Sequence, residues 1–585
     1  MDDRTFACRH PGPPPAFRRR RLGFVFRIGM GAVVLSSGPI NPACGQPEPV
    51  NVAAAAPRAA APSPAPAHAI ALPEMLAIEL PADGMSHIAP SESPLRELLE
   101  SATAGDLRVT HDQSKPLPLG GTEVTWTAWE GAPGGSPARA TRKAFVYVFP
   151  LGQTPVGVTG KHNATAPNSS AKVVRDAAGL LHMAWIDGGR PGTGHRVMYR
   201  RAAQDATTGS VVFLTSPIRV SDVGSEVPAS YVGIEAGERA VHFAWFGGRT
   251  TQYRRLIQRA RAWAFEPIRN TGAQGTAHDR GPDIAARGDD EIHVLTPAGQ
   301  YAVSKNGGGS WAVEQVPPAP AGRLKNPALA VDRLGNAHVV FTAMVRNARS
   351  WSGSRPNAGH WELRYVRRQA GGGWVDAQHL LAAVPAWGDP KNQWDVLADW
   401  PDIAVDRRDT IHVTWHGTAN THIFGNDEAF YARRAATGTG AWGPWDAPQP
   451  LHPVNRERRE SFSYAPSLAV NADGDLALAV LFFQVTDAPP EVFDSAARLV
   501  RRGVVEGPPI PLSRAARRAI DAGRPQDALS TWFPSAAPRL FRHPNGRAWL
   551  DVLHTGETPK AHNSPHYVIY QRHDVTDALG GSASR

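Results

Sequence analysis

One pattern of apolar and polar positions recurs seven times between residues 172 and 553. Each copy is an apolar strand, a short polar turn, and a second apolar strand that often begins with His and ends in an aromatic residue. The copies run from Lys172 to Trp185, Val232 to Trp245, Asp283 to Leu295, Ala328 to Phe341, Asp402 to Trp415, Ser467 to Val480 and Pro538 to Leu553. A third strand with a recurrent tyrosine follows several of them, as in Val197-Met198-Tyr199, Leu363-Arg364-Tyr365, Ala429-Phe430-Tyr431 and Val568-Ile569-Tyr570. A glycine turn and a tryptophan then open a fourth, as in Gly371-Gly372-Gly373-Trp374 and Gly440-Ala441-Trp442. Four short antiparallel strands per repeat, stacked radially, make a propeller blade, so the pattern predicts an all-β, seven-bladed β-propeller over 151–585. The last repeat runs out of chain after Tyr570, so its outer strand is expected from around Val156-Gly157-Val158, closing the ring.

Ahead of the repeats the pattern changes three times. Arg18 to Arg21 precede an apolar run, Leu22 to Phe26 and Ile28 to Leu35, which is the order of a secretory signal, so 1–44 is expected to be a leader. Residues 45–73 are rich in Ala and Pro and cannot bury enough apolar surface to fold, which makes them a linker. Alternating strands at Val124-Thr125-Trp126-Thr127-Ala128 and Ala144-Phe145-Val146-Tyr147-Val148 predict a small β-sandwich over 74–150.

Composition narrows the function classes. Glycine (56), proline (53) and 17 Trp in 585 residues suit many short strands and turns. The net charge of +9 is largely local, because residues 1–35 alone hold +5, so no nucleic-acid partner is expected. Two cysteines, Cys8 and Cys44, cannot supply a disulfide framework. No later segment has the roughly 20 apolar residues of a membrane span. These features predict a secreted, periplasmic or cell-surface protein, monomeric, with no cofactor and no metal.

Two stretches carry resemblances. Ser304-Lys305-Asn306-Gly307-Gly308-Gly309-Ser310-Trp311 resembles the Asp box of bacterial neuraminidase repeats, with Asn for Asp and Ser for Thr. The propeller thus resembles the sialidase superfamily, whose members include hydrolases, polysaccharide lyases and inert binding modules. The 119–148 region resembles a hyalin-repeat domain, an immunoglobulin-like sandwich without chemistry of its own, though it lacks that family's cysteine pair.

The sialidase resemblance implies that the functional mouth lies opposite the Asp-box turns. Histidines repeated at one blade position (His182, His242, His293, His338, His412) read as structural, and polar residues that break the repeat become the candidates. Catalytic candidates are His278, Asp279, Arg280, Asp395, His416, Asp427, Glu428 and Tyr464; substrate-binding candidates are Arg190, Trp394, Arg458 and His554. The carboxyl groups and Tyr464 suit glycoside hydrolysis, and His278 or His416 with Arg280 suit β-elimination on a uronic-acid polymer. The Phe/Tyr-Arg-Ile-Pro motif that the sialidase resemblance requires is missing; its only approximation is Phe541-Arg542-His543-Pro544. Sialidase activity is therefore not expected. The expectation is a carbohydrate-recognising propeller, either glycan-cleaving or a non-catalytic adhesion scaffold.

Overall fold

The computed structural model describes most of residues 153–579 and parts of 75–149. Outside the described residues lie 1–74, 189–194, 276–280, 348–358, 380–397, 419–426, 452–462, 558–565 and shorter gaps. The expected leader and linker fall there.

Seven consecutive sheets of four or five strands make the propeller. Blade three shows the plan: Asp283–Arg287, Glu291–Leu295, Gln300–Ser304 and Ala312–Gln315 pair in sequence order, all antiparallel. In blade five the same plan uses Ala398–Val405, Ile411–Thr418, Asp427–Gly438 and Ala441–Trp445. The ring closes as expected. Gln153–Thr159 pairs with His566–Asp574 as the fourth strand of blade seven, joining the start of the domain to its end. Closure leaves no open sheet edge between first and last blades.

The inner strand of blade seven is corrected by the structure. It is Ser530–Ala536, not the Pro538–Phe541 stretch. Pro538 has no N–H to give a ladder, and Phe541–Arg542 instead pairs with Ala548–Trp549 in the turn beyond the strand.

The core lies between blades. Val156, Trp185, Leu553 and Tyr570 pack blade seven on blade one, and Val174, Tyr199, Phe243 and Trp245 pack blade one on blade two. The repeated histidines hold each blade together internally. In blades one, four and five the ring Nδ1 meets a tyrosine hydroxyl at 2.7–2.8 Å and Nε2 meets an aspartate at 3.2 Å. The trios are Asp176–His182–Tyr199, Asp332–His338–Tyr365 and Asp406–His412–Tyr431. His242 with Tyr253 and His293 with Tyr301 keep the pair without that aspartate. An Asp–His–Tyr set resembles a catalytic relay, but its recurrence between sheets makes it a fastening.

The Ser304–Trp311 turn is fixed by its own polar side chains. Gly308 N donates to Ser304 Oγ (2.9 Å), and Ser310 N donates to Asn306 Oδ1 (2.8 Å). Gly307 and Gly308 take φ of 67° and 86°, and Trp311 packs edge-on against Tyr253 of blade two. N-terminal to the propeller, Met75–Glu79, Ala138–Phe149, Gly120–Glu130 and Leu107–His111 form one sheet, with Met75–Glu79 parallel to its neighbour.

Candidate functional site

Strand polarity sorts the loops onto two faces. Turns from first to second and third to fourth strands share the face of the Ser304–Trp311 turn. Second-to-third connections and the links between blades share the other, the mouth face.

On the mouth side the inner strands begin with the same irregularity. Register slips at Ser230/Val232, Lys325/Ala328, Asp399/Asp402, Tyr464/Ser467 and Trp532/Ser535, which places a β-bulge there in five blades. Within these bulges Tyr231, Asn326, Trp400 and Phe533 adopt left-handed backbone, with φ of 49°, 47°, 48° and 47°. Such conformations are strained for bulky aromatics, by about 1–3 kcal/mol each. The aromatic side chains at these bulges pack across blades. Trp400 of blade five stacks on Phe533 of blade seven (ring centroids 5.5 Å apart, planes 29° apart), and Trp532 lies 4.2 Å from Phe493 of blade six. Trp532 and Phe533 keep part of their surface open, while Trp400 and Phe493 are buried beneath.

Equivalent inner-strand positions of the seven blades, following the bulge in the five blades that have one, form the throat: Lys172, Gly233, Asp283, Ala328, Asp402, Ser467 and Ser535. Four of these side chains tie one blade to the next. Leu329 N donates to Asp283 Oδ2 (2.6 Å), Leu468 N to Asp402 Oδ2 (2.7 Å), Ala536 N to Ser467 Oγ (3.1 Å) and Lys172 N to Ser535 Oγ (3.1 Å). Lys172 is fully buried, and its Nζ donates to the Ser170 carbonyl and hydroxyl at 2.7 and 2.9 Å. Burial holds its ammonium down to about 7, against the pull of Asp283 and Asp402. Burial pushes Asp402 up to about 7 and, with the Asp402 charge beside it, Asp283 well above the usual carboxylate range. A cavity of about 60 Å³ separates these walls, enough for a few waters.

Of the twelve sequence-nominated residues, two have described side chains. His416 is 1% exposed and lies behind Trp400, with ring centroids 6.4 Å apart. His554 occupies the second-strand position that Trp185 and Trp415 fill in blades one and five. It is also 1% exposed, and burial and the neighbouring His573 push its ring down to about 3, so it stands neutral inside the blade. Neither presents a surface to a ligand. Asp427 and Glu428 begin the third strand of blade five, and Tyr464 lies in the inner strand of blade six. His278, Asp279, Arg280, Asp395, Arg190, Trp394 and Arg458 lie outside the described residues.

Sequence reasoning missed the aromatic floor and the throat. A signal was present: Gly281-Pro282-Asp283, Asn326-Pro327-Ala328, Trp400-Pro401-Asp402, Ala465-Pro466-Ser467 and Phe533-Pro534-Ser535 repeat one tripeptide pattern. At the blade-one rim burial holds Lys161 down to about 8 and lowers His195, with Lys161's charge adding to the latter shift. Among the described residues no group of three metal-ligating side chains converges, and no helix is long and apolar enough to cross a membrane.

No protein-family profile and no curated protein matches the chain. Solved structures do match in shape. A polysaccharide lyase described as an ulvan lyase covers 73% of this chain and 99% of its own, at 10% identity and TM-score 0.45. The Penicillium chrysogenum α-L-arabinanase complexed with arabinobiose covers 73% and 99%, at 10% identity and TM-score 0.37. The endosialidase of phage phi92 covers 74% and 71%, at 9% identity and TM-score 0.39. The likeness is one of fold.

Proposed function

We propose that the chain is an exported, sialidase-like propeller that recognises a carbohydrate at its mouth. The observation that carries this reading is the aromatic floor. Trp532 and Phe533 offer partly open ring faces at the start of the blade-seven inner strand, and Phe533 and Trp400, both in left-handed backbone, stack on each other. Strained backbone under bulky side chains points to function, because folding alone would relax it. Flat aromatic faces in a concave site, flanked by polar loops, match the stacking and hydrogen-bonding needs of sugar rings.

The bonding of the Ser304–Trp311 turn supports the kinship with Asp-box propellers, and the basic-then-apolar leader supports export. Any catalytic groups would come from the mouth side: His278, Asp279, Arg280, Asp395, Asp427, Glu428 and Tyr464, with Arg190, Trp394 and Arg458 as binding residues.

Incubating the purified full chain with sialosides, neutral glycans and uronic-acid polymers tests the reading. Release of reducing ends assigns a hydrolase, and unsaturated-uronate absorbance assigns a lyase. Binding without product assigns a recognition scaffold. Neither binding nor product from folded protein removes the carbohydrate reading.

A further inference from the structure

At the face opposite the mouth, the ends of the inner strands surround a vestibule of about 980 Å³. Its wall takes Arg175 and Asp176 from blade one, Glu235 and Glu238 from blade two, Arg287 from blade three and Arg333 from blade four. Blade five adds Arg407, and blade seven adds Arg539 and Arg542. By formal charge the wall is close to balanced. What matters is which groups reach solvent.

The aspartates of this wall are turned away from it. Asp332 accepts from the amides of Leu334 and Asn336 and from His338, and Asp406 accepts from Arg408, Thr410 and His412. Both are buried, with their lone pairs used inside their own turns. Arg287 and Arg333 do reach solvent, while the Arg175 side chain is buried. Arg175 is clamped by Asp551, Arg287 by Glu291 and Arg333 by Asp409. Arg407 and Arg542 are exposed, and their side chains make no hydrogen bond or ion pair among the described residues. Arg539 is exposed as well, and its charge reaches only half-buried Glu235, whose carboxyl burial raises to about 6. Glu238 of blade two is the exposed carboxylate of the wall, against exposed Arg407, Arg539 and Arg542, so the accessible part of the cavity is net cationic, with guanidinium forks on two blades separated by one.

We propose that this vestibule is a second site, which binds a ligand carrying at least two oxyanion groups through Arg407, Arg539 and Arg542. Carboxylate or sulfate substituents of an acidic glycan fit that chemistry, as does free sulfate, because the guanidinium fork matches both planar carboxylates and tetrahedral oxyanions. The approximation to an arginine motif at Phe541-Arg542-His543-Pro544 thereby finds a place. Its Phe541 and Arg542 lie after the inner strand of blade seven, on this face and not at the mouth. The Arg175 guanidinium, 4.1 Å over the Phe541 ring, braces that stretch.

The test is calorimetric titration of the full chain with a uronate oligosaccharide, a sulfated oligosaccharide, a neutral oligosaccharide of equal length and sodium sulfate. It is repeated for the Arg407→Gln/Arg539→Gln/Arg542→Gln variant and for Trp532→Ala. The three arginines are exposed and support no packing, so the triple variant is expected to keep its melting temperature. The expected result is salt-sensitive binding of an acidic ligand that falls roughly tenfold or more in the triple variant and persists in Trp532→Ala. Sulfate binding as tightly as the oligosaccharides, with the same loss, keeps the site and makes its ligand a free oxyanion. Acidic-ligand binding that survives the triple substitution, that is lost in Trp532→Ala instead, or that is absent from the wild type overturns the proposal. The mouth reading fails separately, through the neutral and aromatic-dependent arms.

Discussion

Asp402 of blade five holds the backbone amide of Leu468 in blade six at 2.7 Å, across the wall of the throat. Its other oxygen accepts from Ile403 N at 2.8 Å. One buried side chain thus joins two blades, as Asp283 does between blades three and four. Asp402→Ala leaves two buried amides without their acceptor and is expected to destabilise the propeller by about 2–4 kcal/mol, read as a lowered denaturation midpoint.

The same carboxyl gives a pH dependence of definite sign. Its folded value is about 7, far above that of an unfolded aspartate. The stabilising contribution is therefore complete below about pH 4 and is lost as pH rises through 7, with a slope of up to about 1.4 kcal/mol per pH unit. Asp402→Asn keeps the shape and removes the proton. Its stability between pH 4 and 7, relative to wild type, is expected to rise with pH; a parallel pair of curves would contradict this.

The Asp406–His412–Tyr431 trio predicts an effect on stability without one on any mouth activity. Tyr431→Phe removes a hydrogen bond to a buried ring nitrogen and costs about 1–2 kcal/mol. Asp406 is held below its usual range, with His412 and the turn amides outweighing burial, so its contribution is present above about pH 4 and fades as pH falls below. Acid unfolding of Asp406→Asn is expected to begin from a lower plateau and to show a shallower slope.

Gly308 allows a sharper steric prediction. Its φ is 86°, and a Cβ placed there would sit 2.2 Å from the Tyr253 ring of blade two. Gly308→Ala is expected to destabilise by roughly 2 kcal/mol or more, whereas Gly371→Ala, in open space in blade four, is expected to change little.

Ring closure predicts a different failure. Val156 is fully buried in the strand that completes blade seven, and Gly157 lets the Trp185 ring approach to 2.5 Å of where a Cβ would stand. Val156→Asp is expected to unpair Gln153–Thr159 and bare the edge of His566–Asp574, giving concentration-dependent association in sedimentation.

The blades were legible because strand, turn and strand repeat with the same partners, so each copy supports the others. The closing strand was legible from the fourth strand that blade seven lacked. The inner strand of that blade was misplaced because Leu540-Phe541 imitates its apolar pattern, while the true strand carries Pro534 inside a bulge. The mouth was harder. Trp400 and Phe533 approach each other only because blades five and seven curve round blade six, a relationship that no local spacing encodes. His416 and His554 were nominated for breaking the repeat, yet their strand positions bury them. The throat aspartates were read as strand starts, since nothing in the sequence marks a carboxylate as reaching an amide some 46 to 66 residues later.

The most direct test of the account follows intrinsic tryptophan fluorescence of the full chain during titration with neutral oligosaccharides, in wild type, Trp532→Ala and Phe533→Ala. The account predicts a saturable change in wild type and a loss of affinity of roughly tenfold or more in both variants, with their folds intact by circular dichroism. Saturable binding of equal affinity in all three proteins would contradict it.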